Sequence, residues 1–338
     1  YVHFAVRPFF SFAADTEIDC STNPNITNSS NGQSIVLTTS GTCTLTETTS
    51  FSSLTIPTGV TLQFARDVDL TVSGATSVTG VLSFDSGNEL NGATDITVAS
   101  GGEITHSVYT LEVAFVPKVN INITGDLTVA SGGEINVIEK GYLGGKQGLN
   151  SAFQYGRTNG NVAGSTMKSG GSHGGRGAQA QYNSTGDSAV EYDSIVNPIL
   201  PGGGGGTYYH TDAYVGSGGG GVVIISAANI TVAGSILADG GDSLSTDVPK
   251  VYGGGGAGGT INLTASATID GAGTISAAGG YVNSYTGIAG GGGGRISITA
   301  NTGSHSGTIA INGDGNGSNP VLDGASGTIY EKYSSNTY

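Results

Sequence analysis

GGGGVVIISAANITVAGSILADGG, residues 218–241, is the stretch from which the fold is read. A block of four glycines opens it. Val and Ile then alternate with Ser, Thr and Asn, a glycine turn follows, and a second short alternation leads to a Gly pair. The same order recurs twice. Gly253–Gly256 runs through AGGT into INLTASATIDGAGTISAAGG, and Gly290–Gly294 runs into RISITANTGSHSGTIAINGDG. Glycine tracts alone make flexible linkers. Locked to a period of 35 and then 37 residues with strands between them, they read as a stacked repeat.

Outward from this stretch the pattern continues towards the N-terminus. Residues 51–139 hold LTIPTGVTL (54–62), LTVSGATSVTGVLSF (70–84), ITVASGGEI (96–104) and LTVASGGEINV (127–137). The string VASGGEI occurs at 98–104 and again at 129–135, 31 residues on. Inward Ile, Leu and Val with outward Thr and Ser fit strands buried on one face. Strand, glycine turn and strand at this period are what a parallel β-helix needs. The expected fold is therefore all-β, a right-handed parallel β-helix or β-solenoid with polyglycine-rich segments.

The remaining segments divide the chain. Residues 1–14, YVHFAVRPFFSFAA, read as an apolar strand that caps its own domain or is donated to a neighbour, or as the leftover core of a signal peptide, against which Arg7 and Pro8 speak. Residues 15–50 form a disulfide-stapled β cap, and residues 51–139 the first coils. Residues 140–215 are a Gly/Tyr-rich insertion whose glycines suit extended polyglycine helices of three residues per turn. Residues 216–315 carry the Gly-tract repeats and residues 316–338 a C-terminal cap.

Composition narrows the function. The 338 residues include 61 glycines, no Trp and a formal net charge of −14. An acidic surface repels phosphate backbones, which disfavours nucleic acid as a partner. No apolar run approaches the ~20 residues of a membrane span. Cys20 and Cys43 suggest one disulfide. In the chain-entropy account it contributes roughly 3 kcal/mol. Seven sequons, at Asn25, Asn28, Asn122, Asn183, Asn229, Asn262 and Asn316, favour an exported, glycosylated protein. The chain opens at Tyr1 without Met, as a processed chain does.

Catalytic constellations are sparse. Asp67 with Asp69, and Asp15, Glu17 and Asp19, alternate on strand faces and read as solvated. The five histidines, at 3, 106, 173, 210 and 305, are scattered and read as surface or turn residues. The glycine blocks lack the Lys-Ser/Thr ending of a phosphate loop. In INGDGNGSNPVLDG, Asn312, Asp314, Asn316 and Asp323 approximate the spacing of a calcium loop, so Ca²⁺ is the one cofactor to weigh. Turn chemistry explains the same residues. Tyr142, Tyr155, Tyr208 and Tyr209 lie beside glycine blocks, where they either pack or contact glycan or another subunit.

The poly-Gly block, I-x-I-x-A and A-x-G-G pattern over residues 50–315 resembles glycine-rich β-helical proteins of microbial cell surfaces. The LTVASGGEI units resemble those of secreted β-helix adhesins. The N-terminal strand resembles the donor strand of pilus and thread subunits. These resemblances imply a non-enzymatic structural subunit of an extracellular filament. It would partner copies of itself through Val2, Phe4, Val6, Phe9 and Phe10 as apolar anchors. Two alternatives stand beside it: a monomeric cell-surface adhesin that binds glycan through 140–215, and a polysaccharide-active β-helix enzyme.

Overall fold

The computed structural model describes residues 15–181, 186–208, 215–243, 253–282, 287–314 and 322–334. The expected N-terminal strand, with Val2, Phe4, Val6, Phe9 and Phe10, lies outside them. So do Asn183, Tyr209 and Asn316. Among the described residues the chain is all-β apart from three short 3₁₀ turns. Its strands pair in parallel into one sheet of 16 strands and another of nine, wound into a solenoid-like coil. The exception is the small antiparallel pair Arg157–Thr158 with Val162–Ala163.

Like residues stack on like. In the nine-stranded sheet one inward row runs Cys43, Leu62, Leu82, Ile104, Ile135, Ile236, Ile275 and Ile309. In the larger sheet a second row runs Leu70, Leu90, Ile121, Ile225, Leu263 and Ile298. The repeated VASGGEI string stacks on itself, Val98 on Val129 and Ile104 on Ile135. These rows merge into a single apolar core along the coil. A parallel ladder has even spacing, so equal side chains every coil pack without gaps. Cys20 and Cys43 are joined, with Cα atoms 4.9 Å apart. The bond ties the turn after the first strand, Thr16–Asp19, to the inward row.

The glycine tracts form a second, side-chain-free core beside the coil. The segment 202–207 shows its logic. Gly202 and Gly205 donate to Gly220 and Ser217, Gly203 and Gly206 to Ser172 and Ser169, and Gly204 and Thr207 to Arg157 and Gln154. Residues three apart therefore bond to the same neighbour, the signature of an extended backbone with three residues per turn. Its carbonyls accept in turn from Tyr142, Gly145, Gly254 and Ala257. The six amides, and the carbonyls of Gly202, Gly203, Gly205 and Gly206, thus find partners on adjacent segments, as buried backbone requires. Such spacing leaves no room for a Cβ: one built on Gly256 collides with the Gly218 carbonyl oxygen.

The insertion 140–215 joins the glycine bundle and covers part of the larger sheet. Its glycines supply part of the bundle. Its later stretch lies over the outer face of the larger sheet, where Thr260, Asn262 and Ser297 donate side-chain hydrogen bonds to Leu200, Asn197 and Val196. Arg295 Nε donates to the Tyr192 carbonyl at 2.8 Å.

Two histidines expected at the surface are buried. His173 Nδ1 donates to the Gly258 carbonyl at 3.0 Å, and its Nε2 lies 3.5 Å from Asp193 Oδ2. His106 Nδ1 donates to the Ser107 carbonyl while Nε2 accepts the Val222 amide at 3.0 Å. Both reside where a coil meets the glycine bundle, and backbone groups there need a side-chain partner. Burial, which outweighs the other influences, lowers the His106 pKa to about 3.

Two outcomes follow. Gly256→Val should lower stability by at least ~3 kcal/mol, since backbone rather than a flexible side chain opposes the added group; thermal unfolding measures it. His106 binds a proton below about 6.5 when unfolded but only near 3 when folded. Its contribution is therefore present above pH 6.5 and lost as pH falls towards 3. NMR should show a neutral His106 ring, with fixed shifts, from pH 8 to 4.

Candidate functional site

A cleft of about 460 Å³ opens where the nine-stranded sheet gives way to the glycine bundle. Glu139, Asp239, Asp242 and Asp314 line it, with Tyr281 at its side. The stacking brings these acids together. Glu139 donates its amide to the Asp239 carbonyl, and Asp242 Oδ1 accepts the Tyr281 amide one coil further on. Each lies just beyond a strand of the nine-stranded sheet, on the way into a glycine segment.

The carboxylates are tied to the frame. Glu139 Oε1 accepts from Gln147 Nε2 at 2.8 Å and from the Gly218 amide at 3.2 Å. Asp239 Oδ1 accepts from the Ser276 hydroxyl and the Ala278 amide. Burial raises the pKa of Glu139, Asp239 and Asp242 above the ordinary carboxylate range, and mutual repulsion adds to it. The arrangement can hold protons or attract positive charge. Its lining residues include no Lys, Arg or His. Among the described residues no three His, Cys, Asp or Glu side chains group closely enough to hold a metal ion.

Of the residues singled out for calcium, Asn316 lies outside the described residues. Asn312 and Asp314 belong to an extended segment that pairs with the bundle: Gly279 donates to Asn312, and Asp314 donates to Gly291 and accepts from Gly324. Asp314 also lines the cleft with the acids from other coils.

The tyrosines divide. Tyr142 is buried and packs against Tyr109, with ring centroids 4.7 Å apart, and against Tyr192 at 6.4 Å. That corrects its place among candidate glycan contacts: no face is left for a sugar. Tyr155 is half-buried beside the exposed Phe153, and the Arg157 guanidinium lies over both rings at 4.9 and 4.6 Å. Tyr208 lies under Lys168 Nζ at 4.9 Å.

Among the sequons, Asn25, Asn28 and Asn122 are exposed and Asn229 is half-buried. Asn262 is buried, and its amide nitrogen donates to Asn197 Oδ1 and the Pro198 carbonyl. The folded chain therefore closes Asn262 to a glycan, because the insertion covers that sheet face. Neither the cleft nor this cover was legible beforehand. The acids come from three separate stretches of chain, at Glu139, at Asp239 and Asp242, and at Asp314, and only the coil register joins them.

No helix among the described residues is long and apolar enough to cross a membrane. Comparison with protein families, with curated proteins and with solved structures finds no match.

A carboxyl whose pKa is raised on folding stabilises the fold fully below its unfolded pKa, and that stability is lost as pH rises through the folded pKa. Glu139, Asp239 and Asp242 are such groups. Asp242→Asn should therefore raise the melting temperature by a few degrees at pH 7. Its advantage over the parent chain should vanish near pH 4; scanning calorimetry at both pH values checks it.

Proposed function

We propose that this chain is a structural subunit of an extracellular filament, a right-handed parallel β-helix assembled head to tail by strand donation from its N-terminal segment. The hand is the one that parallel strand connections adopt. One observation carries the reading: nearly all the polar backbone chemistry is spent on stacking, coil on coil and glycine segment on glycine segment. The cleft acids also serve backbone amides rather than a reacting centre. The disulfide and the exposed sequons at Asn25, Asn28 and Asn122 support export. In this reading Val2, Phe4, Val6, Phe9 and Phe10 anchor the donated strand, and heterologous addition makes an open fibre. Deleting residues 1–12 should leave a folded monomer that forms no fibres in negative-stain microscopy; fibres from the truncated chain would end the idea.

A second reading, a cell-surface adhesin that binds glycan, is favoured by the Phe153, Tyr155 and Arg157 cluster beside exposed Leu149 and Val162. An aromatic ring at the surface suits the apolar face of a sugar. Under this reading Tyr155→Ala should abolish signal on a glycan array while leaving the melting temperature unchanged; signal equal to the parent's would remove it.

A further inference from the structure

The strand Thr328–Tyr333 pairs with Arg295–Ala300 on one side and ends the larger sheet among the described residues. We infer that its free edge is the acceptor for residues 1–7 of a second copy of this chain, laid on as one more parallel strand. The inference rests on the strand-donation reading and names the place where donation ends.

Three observations lead there. The first is the state of that edge. Ile329 continues the inward row Val119, Val223, Ile261 and Ile296, yet it is 41% exposed where those four are buried. Thr328 and Ser334 donate their amides back into the sheet, to Gly294 and Ala300. By alternation, the amides of Ile329, Glu331 and Tyr333 point off the edge.

The second is what borders it. Arg295 Nη1 bonds Thr328 while Ser297 holds Val196 of the insertion against the outer face. Ile195, Val196 and Ile199 of that stretch remain exposed. A strand added beside Thr328–Tyr333 would meet the end of the core on one face and this apolar stretch on the other. Strands covered on both faces read as nearly continuous apolar runs. YVHFAV at residues 1–6 is such a run. The inward row also ends in a carboxylate, with Glu331 next to Ile298. An inward charge on an edge rejects indiscriminate pairing. The incoming segment carries Arg7 and no acid.

The third is reach. Nine strand-to-strand steps separate Thr16–Asp19 from Thr328–Tyr333 along the larger sheet. At ~4.8 Å per step the two lie about 43 Å apart. If residues 1–7 pair with the far edge, residues 8–14 must bridge the gap, and seven residues extend to at most ~25 Å. The chain cannot reach its own edge, so the donor belongs to another copy.

Glu331→Pro tests this, because the lost amide is one that points away from the sheet and Pro is tolerated on an edge. The variant keeps its donor segment; the chain lacking residues 1–12 keeps its acceptor. Each alone should be a monomer by light scattering. Mixed, they should form a one-to-one dimer that grows no further. If Glu331→Pro forms fibres like the parent chain while the truncated chain does not, donation stands but the acceptor lies elsewhere. If both form fibres, the donation reading itself fails. Should Glu331→Pro not fold, chains carrying Val2→Cys and chains carrying Ile329→Cys, polymerised together and oxidised, carry the test. A disulfide-linked dimer is the expected result, and its absence overturns the assignment.

Discussion

Peptide groups packed without side chains are the constraint on which this molecule depends. Around residues 202–207 each amide turns to a different neighbour, and the cycle repeats every three residues. The segments must approach closely enough for those bonds, and only glycine permits it. Glycine loses more conformational freedom on ordering than any other residue. A lone glycine segment would therefore be unstructured. The cost is offset because every ordered segment offers donors and acceptors to several others, so the bundle forms as a whole. The β-coil supplies the registry: each outgoing and returning segment is anchored at a strand end, Ala238 after Leu237 and Gly259 before Thr260.

The two cores divide the work between apolar burial and hydrogen bonding. The coil stacks Leu, Ile and Val in rows, where area removed from water provides the stabilisation. The bundle buries few apolar side chains, among them the small cluster Ala178, Ala289 and Leu322, and its cohesion is chiefly the pairing of buried peptide groups. Their junction is where one scheme hands over to the other. Backbone groups there face neither a regular ladder nor another glycine segment. Side chains fill the gap: His106 accepts the Val222 amide, Glu139 the Gly218 amide and Asp239 the Ala278 amide. Three of the cleft's acids, Glu139, Asp239 and Asp242, are therefore also caps of this junction. Acids placed at the same junction in successive coils must stack, and stacked acids repel.

Coil register was legible in the sequence because repetition encodes it. VASGGEI at 98 and at 129 superposes residue on residue, and the strands after Gly221, Gly259 and Gly294 align without a slip. The threefold glycine bundle was legible as a type of structure but not as a set of neighbours, since glycine carries no pattern to say which segment lies beside which. Asn262 looked exposed because Asn-x-Thr contexts are ordinarily surface features, and for Tyr142 the sequence left packing and exposure both open. Asn262 is buried by the insertion folding back over a sheet, a contact between residues 65 apart in the Asn262–Asn197 pair, and Tyr142 by packing on Tyr109 and Tyr192. No local signal announces such a contact. The cleft was hidden for the same reason.

A coil of this kind must solve the problem of its ends, because every inward row exposes its last member. The two ends solve it differently. In the first coil Ile18, Cys20 and Ile26 are all buried, and a disulfide fixes the turn to the next row. In the last described coil Ile329 is open and the neighbouring row switches from Ile298 to Glu331. A monomer selected only for solubility would blunt both ends alike, with short polar strands. Here the last strand is six residues long, as long as the interior strands Val222–Ala227 and Thr260–Ala265, and retains an apolar residue in the core row. Among the described residues the two ends of the stack are therefore unlike, one closed by apolar burial and a disulfide and the other open at Ile329.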